Sequence, residues 1–169
     1  AVRLGLGADD IFADCGSGLG KLVVQAVSEF GTRRGCGVEF AASRHQLAVD
    51  ALAQEAPALA DRVTLVEGDC SDAALWVAGG PLDGTTVIFL GSLMFSAELM
   101  AVLARRLDEC ALPLRAVATL KQWDAGDAPS RFREQPSPEH CEASWTAPRT
   151  LSDARDTTPV YVYVRDADA

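Results

Sequence analysis

Residues 11–30 read IFADCGSGLGKLVVQAVSEF and are the most informative part of the sequence for the fold. The apolar run 11–15 predicts a buried strand, and the apolar spacing within 19–30 predicts a helix. Between them stand three glycines, Gly16, Gly18 and Gly20. Glycines remove side chains, so a ligand can approach the backbone where the helix offers its free N–H groups. A strand, a glycine turn and a helix in this order are typical of the ligand-binding end of a doubly wound α/β sheet.

The alternation of strand-like and helix-like runs continues along the chain. Further strands are predicted at 35–39, 63–67, 86–90, 114–120, 142–147 and 160–165, helices at 43–56 and 96–109, and a short helix or turn at 71–77. The order predicts right-handed crossovers and a mostly parallel seven-stranded sheet covered by helices on both faces. Residues 121–140 are polar and contain proline, which predicts a long functional loop. We expect one domain over residues 1–169.

Composition narrows the functional classes. The chain has 169 residues, 49% of them apolar and 23% charged, as in a globular domain. Its net charge of −9 disfavours binding to nucleic acid, because an acidic surface repels phosphate. No apolar run approaches the ~20 residues of a membrane span, and no secretory leader is visible. The five cysteines, Cys15, Cys36, Cys70, Cys110 and Cys141, include no C-x-x-C pair. We therefore expect reduced thiols, an intracellular location in nucleus or cytoplasm, and no metal site.

Acidic residues lie at the ends of three successive predicted strands. Asp14 precedes the glycine turn, Glu39 ends the second strand and Asp69 follows the third. A carboxylate like Glu39 accepts hydrogen bonds from ribose hydroxyls, and Asp69 is placed to receive an adenine amine. The turn reads G-x-G-x-G rather than G-x-G-x-x-G, which weakens a dinucleotide interpretation. Several carboxylates disfavour a pyrophosphate but suit a ligand with an ammonium and a sulfonium group. The predicted cofactor is S-adenosyl-L-methionine, with S-adenosyl-L-homocysteine as its product.

Motifs spread over most of the chain resemble one family. These are GADDIFADCGSGLGKLVVQA at 7–26, GVEF at 37–40, LVEGDCSD at 65–72, TTVIFLGSLMFSAELMAVLARRL at 85–107, ASWTAP at 143–148 and TPVYVYVRD at 158–166. In this order they resemble the motifs of the Dot-type (disruptor of telomeric silencing) histone-lysine methyltransferases. The resemblance implies an α/β, Rossmann-like class I methyltransferase fold. It also implies transfer of a methyl group to a protein lysine, with a histone or nucleosome as the partner and no membrane.

The resemblance also implies roles for individual residues. The expected cofactor-binding residues are Asp14, Gly16, Ser17, Gly18, Gly20, Lys21, Glu39, Phe40, Asp69, Cys70 and Gly91. Lys21 would reach the methionine carboxylate, and Cys70 takes the place of an aromatic residue near the adenine. The expected catalytic residues are Ser92, Phe95, Trp145 and Tyr163. The aromatic rings would line a channel in which apolar walls favour a neutral lysine amine and tolerate the methylated cation.

The sequence departs from the family at the positions expected to lie near the transferred methyl group, which we call the methyl end. It also leaves alternative functions open. Gly91 and Ser92 replace a pair of asparagines, and the tyrosine of the last strand falls at Val162, between Tyr161 and Tyr163. The family's upstream lid and basic segment have no counterpart in these residues. Two other functions are a methyltransferase acting on a small molecule or a non-histone protein, and a cofactor-binding scaffold without activity. A dehydrogenase ranks third, and a serine hydrolase is disfavoured because no G-x-S-x-G motif occurs.

Overall fold

The computed structural model describes residues 4–124, 126–136, 139–141 and 158–166, the third range by its backbone. The strands are β1 (Ile11–Cys15), β2 (Arg34–Glu39), β3 (Val63–Glu67), β4 (Val87–Leu90), β5 (Ala116–Thr119), β6 (Phe132–Glu134), β7 (Glu139–Cys141) and β8 (Thr158–Arg165). The helices are α1 (Lys21–Ser28), α2 (Ala42–Glu55) and α3 (Ala97–Glu109), with short 3₁₀ turns at Pro57–Leu59, Ala73–Trp76 and Ser92–Met94.

The strands form one mostly parallel sheet. Seven of them lie in the order β3-β2-β1-β4-β5-β8-β6, and β7 pairs with the first residues of β8. Strands β1 to β5 are parallel, whereas β8 runs antiparallel to both β5 and β6. The chain moves outward from β1 to β3 and then returns to the other side of β1 as β4. Strand order therefore reverses between β1 and β4, and in open α/β sheets ligands bind at the carboxyl ends of the strands beside such a reversal.

Helices cover both faces of the sheet, as the sequence predicts. On one face Val23 and Val27 of α1 pack with Phe12, and Leu52 of α2 joins the same cluster. On the other face the buried residues of α3 pack against β4 and β5; they are Met100, Leu103, Ala104 and Leu107. Right-handed connections require this arrangement, because the direction of strand addition changes after β3.

The predicted elements agree with the structure except after β5. The bounds of β1 and β3 are those expected, and α1, α2 and α3 begin and end within two residues of their predicted limits. The interpretation of residues 121–140 as one long loop is wrong, because β6 and the first residues of β7 lie inside it. Strand β6 has three residues, which is too short for an alternating apolar pattern to be recognised. Among the described residues it pairs only with β8. The predicted strand 142–147 lies outside the described residues.

The sequence also predicts that the chain has no membrane span and that its cysteines are reduced thiols. Among the described residues, no helix has the length and apolar character that a membrane span needs. Four cysteines, Cys15, Cys36, Cys70 and Cys110, are buried as free thiols. They behave as small apolar side chains within the cluster that α3 covers.

Candidate cofactor-binding site

The glycine turn after β1 has a backbone that only glycine adopts easily. Gly16, Gly18 and Gly20 have φ angles of 84°, 55° and 71°, so each lies in the left-handed region. The N–H groups of Gly16 and Ser17 both donate to the carbonyl of Val38 in β2, at 2.8 and 3.0 Å. The turn is thereby fixed to the end of the neighbouring strand, and α1 begins directly after it at Lys21.

Glycines in β2 let the turn and α1 approach the sheet closely. A Cβ atom on Gly37 would lie 2.8 Å from Ser17 Oγ, and one on Gly35 would lie 2.7 Å from Cγ1 of Val23. Both distances are too short for a real Cβ contact, so β2 needs glycine at these positions. Ser17 fills the space above Gly37 and is nearly buried. The sequence GCGVE thus allows the glycine turn to pack directly on β2.

Glu39 joins the end of β2 to the glycine turn. Its Oε2 accepts a hydrogen bond from the Gly18 N–H at 2.8 Å, and its Oε1 accepts one from the Ala41 N–H at 2.8 Å. Oε1 also accepts from Nη2 and Nε of Arg44, at 2.7 and 3.1 Å. Burial would raise the pKa of this carboxyl, but the donors from Ala41, Arg44 and Gly18 outweigh it and lower the pKa. Glu39 is therefore a buried and ionised carboxylate beside the turn.

Arg44 is a residue of this site that the sequence reasoning missed. It lies in the first turn of α2, five positions after Glu39, and it forms an ion pair with that carboxylate. The five-residue spacing spans the end of a strand and the start of a helix, so no single periodicity brings the two side chains together. Only the direction in which α2 leaves β2 places Arg44 beside Glu39.

Asp14 lies next to Glu39 on the same face of the sheet. It pairs in register with Gly37 and is buried, and its Oδ1 has no hydrogen-bond partner among the described residues. Burial raises the pKa of Asp14 to about 7, and the neighbouring charge of Glu39 adds to the shift. An unpartnered buried carboxyl oxygen is rare, and here it lies beside the glycine turn. A cationic group placed near it would favour its charged form.

The remaining predicted cofactor residues lie around this core at the same sheet edge. Asp69 is exposed after β3, and its Oδ1 accepts the Ser71 N–H at 2.8 Å. Cys70 is buried, whereas Phe40 is 75% exposed at the end of β2. Lys21 is exposed at the first residue of α1. The structure therefore brings residues from the ends of β1, β2 and β3 to one rim, with Phe40 and Asp69 on its surface.

The end of β4 meets the turn on the other side of β1. The Gly91 N–H donates to the carbonyl of Cys15 at 2.8 Å, and a Cβ on Gly91 would lie 2.9 Å from the carbonyl oxygen of Gly16. The ring of Phe95 lies against Gly16, since its Cζ would be 3.2 Å from a Cβ built there. Gly91 and Phe95 thus border the glycine turn.

Ser92 has a different setting from an open catalytic position. Its side chain is fully buried, its Oγ lies 2.6 Å from Oγ1 of Thr119, and it accepts the Lys121 N–H at 2.9 Å. Lys121 in turn donates from Nζ to the carbonyl of Phe95 at 3.0 Å. These contacts connect the segment after β4, including the backbone of Phe95, to the end of β5. Nothing in the sequence pattern pointed to Thr119 or Lys121.

The two tyrosines of β8 share the face opposite to that of Val162. Tyr161 pairs with Thr119 at the carboxyl end of β5, and Tyr163 pairs with Val117 farther from that edge. Tyr163 is 1% exposed, and its hydroxyl donates to Oε2 of Glu134 at 3.2 Å. Burial also raises the pKa of Tyr163. Tyr161 is therefore nearer to the glycine-turn edge than the predicted Tyr163, and Trp145 lies outside the described residues.

Comparisons with known proteins agree with this architecture. The profile of the family described as histone methylation protein DOT1 matches residues 2–61, a little over one third of the chain. None of the curated proteins matches the sequence. An RNA methyltransferase from Salinibacter ruber, solved with S-adenosyl-L-homocysteine, superposes with a TM-score of 0.63 at 20% identity, over 99% of this chain and 89% of that one. The chain has the class I methyltransferase fold.

Other structures with the class I methyltransferase fold give the same result. TrmK from M. capricolum, in complex with S-adenosyl-homocysteine, has a TM-score of 0.65 at 7% identity, over 98% of this chain and 67% of that one. A methyltransferase structure from Galdieria sulphuraria has a TM-score of 0.53 at 18% identity, over 70% of this chain and 41% of that one. The DOT1 match contains the glycine turn and Glu39 but ends before Asp69 and the Gly91–Phe95 region.

Proposed function

We propose that the chain is an S-adenosyl-L-methionine-dependent methyltransferase whose cofactor lies across the carboxyl ends of β1, β2 and β3. The observation that carries this proposal is the contact between Glu39 and the glycine turn. A buried, ionised carboxylate at the end of β2 accepts the Gly18 N–H at 2.8 Å, so the acid and the turn form one unit. This unit offers a ribose-binding acid directly beside a backbone that a ligand can approach.

Each predicted cofactor residue has a role that fits its position. Glu39 would accept the ribose hydroxyls, while Gly16, Gly18 and Gly20 keep the backbone accessible. The carboxyl of Asp14 suits a nearby ammonium or sulfonium, because its Oδ1 has no partner among the described residues. The other proposed contacts are Ser17, Lys21, Phe40, Asp69, Cys70 and Gly91. When bound, the cofactor supplies a methyl group on a sulfonium, which passes to a nucleophilic acceptor and leaves S-adenosyl-L-homocysteine.

The structural neighbours support the same cofactor. The Salinibacter and M. capricolum proteins were both crystallised with S-adenosyl-homocysteine, and each superposes on nearly the whole of this chain. The fold is shared although the sequence identities are only 20% and 7%. The G-x-G-x-G turn and Glu39 supply the support that comes from the chain itself.

For the acceptor we propose a protein lysine, with a histone or nucleosome as the first candidate. The support is the DOT1 match over residues 2–61 and the position of Phe95 against Gly16. An aromatic ring at this place forms an apolar wall beside the methyl group, which favours the neutral amine. Trp145 is the other proposed channel residue. Ser92 and Tyr163 are the remaining proposed catalytic residues, and both side chains are buried and hydrogen-bonded. No general base is needed, since the lysine ammonium gives its proton to water as it enters an apolar channel that favours the neutral amine.

A small molecule or a non-histone protein is the second candidate acceptor. The observation that favours it is the setting of Ser92, whose hydroxyl is committed to Thr119 and the Lys121 N–H rather than free at the methyl end. The net charge of −9 disfavours binding to the phosphates of a nucleosome. A scaffold that binds the cofactor without transferring its methyl group is the non-enzymatic alternative.

Methyl transfer from tritiated cofactor tests these acceptors directly. The wild-type chain is incubated with core histones, nucleosomes, or a cell extract, and samples of the labelled extract are then treated with protease or ribonuclease. Label that is sensitive to protease but resistant to ribonuclease supports a protein acceptor, and base-stable label on lysine supports the leading proposal. Label in a low-molecular-weight product that separates from the cofactor itself supports the small-molecule alternative, and ribonuclease-sensitive label contradicts both. Cofactor binding without any transfer supports the scaffold.

Two variants show whether any transfer depends on the proposed site. Glu39→Gln should abolish most of the transfer, because it removes the charged acceptor beside the turn. Glu67→Gln is the matched control, since Glu67 pairs in register with Glu39 one strand away and is exposed. We expect it to retain the wild-type rate. Equal loss in both variants, or in neither, would contradict the placement of the site.

A further inference from the structure

Arg44 contacts the carboxylate that the proposed function assigns to the ribose. Its guanidinium donates twice to Oε1 of Glu39, from Nη2 at 2.7 Å and from Nε at 3.1 Å. The two side chains differ greatly in exposure, 59% for Arg44 and 3% for Glu39. An exposed cation is therefore attached to a buried anion at the point where a ribose would bind.

The hydrogen-bonding capacity of Glu39 is nearly used. A carboxylate has about four lone-pair positions, two on each oxygen. Oε1 already accepts three N–H donors, one from Ala41 and two from Arg44, while Oε2 accepts one from Gly18. Oε1 therefore accepts one donor more than it has lone-pair positions, because the Arg44 fork shares one of them, and the unused position of the carboxylate is on Oε2. A ribose diol presents two hydroxyl donors, so it cannot bind Glu39 through both while Arg44 keeps its contacts.

Arg44 is the donor that is able to leave. The N–H groups of Gly18 and Ala41 belong to the backbone of the glycine turn and of the residue before α2, so they move only with those elements. Arg44 reaches Glu39 with a long side chain that is more than half in solvent. Its guanidinium is easily solvated on release, and turning it away disturbs no backbone hydrogen bond.

We propose that Arg44 is a positioning residue that competes with the ribose of the cofactor for Oε1 of Glu39. This inference rests on the proposed function, since it takes Glu39 as the ribose acceptor. Before binding, Arg44 holds the carboxylate against the Gly18 N–H and so keeps the glycine turn in its bound arrangement. On binding, Arg44 turns into solvent and a ribose hydroxyl takes its place. Arg44 thus preforms the site and at the same time lowers its affinity.

Removal of Arg44 is expected to strengthen binding. In calorimetric titration with S-adenosyl-L-homocysteine, Arg44→Ala should show a Kd lower than that of wild type by a factor of about 1.5 to 5, the range for releasing an exposed ion pair. Arg44→Lys should fall between them, because an ammonium makes a point contact instead of a two-donor fork. Arg105→Ala is the matched control, as Arg105 is an exposed arginine on α3 with no ion pair among the described residues. It should bind like wild type.

A second ligand separates competition from a general change in charge. The 2′-deoxy analogue of S-adenosyl-L-homocysteine offers one ribose hydroxyl, which the remaining position on Oε2 accommodates. Arg44→Ala and wild type should therefore bind this analogue with equal affinity. Salt gives a further readout: raising the ionic strength should improve the affinity of wild type relative to Arg44→Ala, because salt weakens a half-exposed ion pair.

The outcomes distinguish this inference from the proposed function. If wild type binds S-adenosyl-L-homocysteine and Arg44→Ala binds it equally or more weakly, the competition is refuted and the cofactor assignment stands. If Arg44→Ala gains as much affinity for the deoxy analogue as for S-adenosyl-L-homocysteine, the gain comes from the change in charge and the competition is refuted. If neither protein binds the ligand, the proposed function fails and takes this inference with it. Arg44→Lys decides the question should thermal unfolding show that Arg44→Ala does not fold.

Discussion

Asp14 lies fully inside the fold with a carboxyl oxygen that no described residue hydrogen-bonds. Its pKa is raised to about 7 by burial and by the charge of Glu39. Between pH 4 and pH 7 the folded protein therefore holds a proton that the unfolded chain, with an ordinary aspartate pKa of 3.8, has already lost. Stability contributed by this group is present at low pH and falls as the pH rises through that window.

The pH dependence of unfolding checks the state of Asp14. Urea unfolding at a series of pH values should show a free energy of unfolding that falls between pH 4 and pH 7 for wild type. Asp14→Asn removes the titrating group, so its curve should fall less over the same window and lie above wild type at pH 8. Glu39, whose pKa is lowered, acts with the opposite sign and only in acid, where protonation removes its stabilising contribution. Identical pH profiles for the two proteins would contradict the raised pKa of a buried Asp14 carboxyl.

Helix α1 depends on the glycines of β2 for its distance from the sheet. A Cβ on Gly35 would lie 2.7 Å from Cγ1 of Val23, 3.1 Å from Cγ2 of Val27 and 3.3 Å from the carbonyl oxygen of Val23. Two of these atoms are methyl groups of β-branched side chains, which are stiff at χ1, and the third is helix backbone, so α1 has to move to relieve the contact. Because α1 follows the glycine turn directly, its displacement also moves the turn.

Gly35→Ala should therefore lower both stability and cofactor affinity. Overpacking of this kind costs about 1–3 kcal/mol, measurable by urea unfolding. Gly68→Ala is the matched control, because a Cβ there meets only Cγ1 of Val66, at 3.8 Å. We expect the control to change stability by less than about 0.5 kcal/mol. Wild-type stability in Gly35→Ala would show that α1 does not pack on β2 as described.

The elements differ in how far the sequence reveals them. Strand β1 is predictable to the residue, because a buried apolar run ends at a glycine turn with a fixed backbone requirement. Strand β6 is not, since its three residues, Phe132–Glu134, become a strand only by pairing with β8 near the end of the chain. The Glu39–Arg44 ion pair is hidden for a similar reason, because it depends on the angle at which α2 leaves β2.

At the scale of the whole molecule, strand order alone explains why the acidic residues of the proposed cofactor site lie together. Asp14 and Glu39 lie at the carboxyl ends of β1 and β2, and Asp69 follows β3. Because these strands are parallel neighbours, their acids reach the same edge. The sequence predicts this convergence because it depends only on alternation and handedness. The methyl end is less predictable. There the contacts Ser92–Thr119 and Tyr163–Glu134 join segments far apart in the chain, and no local pattern encodes them.

The central claim is that the carboxyl ends of β1 to β3 bind S-adenosyl-L-methionine through Glu39. Calorimetric titration with S-adenosyl-L-homocysteine, using wild type, Glu39→Ala and the control Glu67→Ala, tests it most directly. We predict micromolar-range binding to wild type and to the control, and a Kd at least about tenfold higher for Glu39→Ala, the expected loss of a charged hydrogen-bond acceptor. Absence of binding to wild type, or equal binding by Glu39→Ala, would contradict the account.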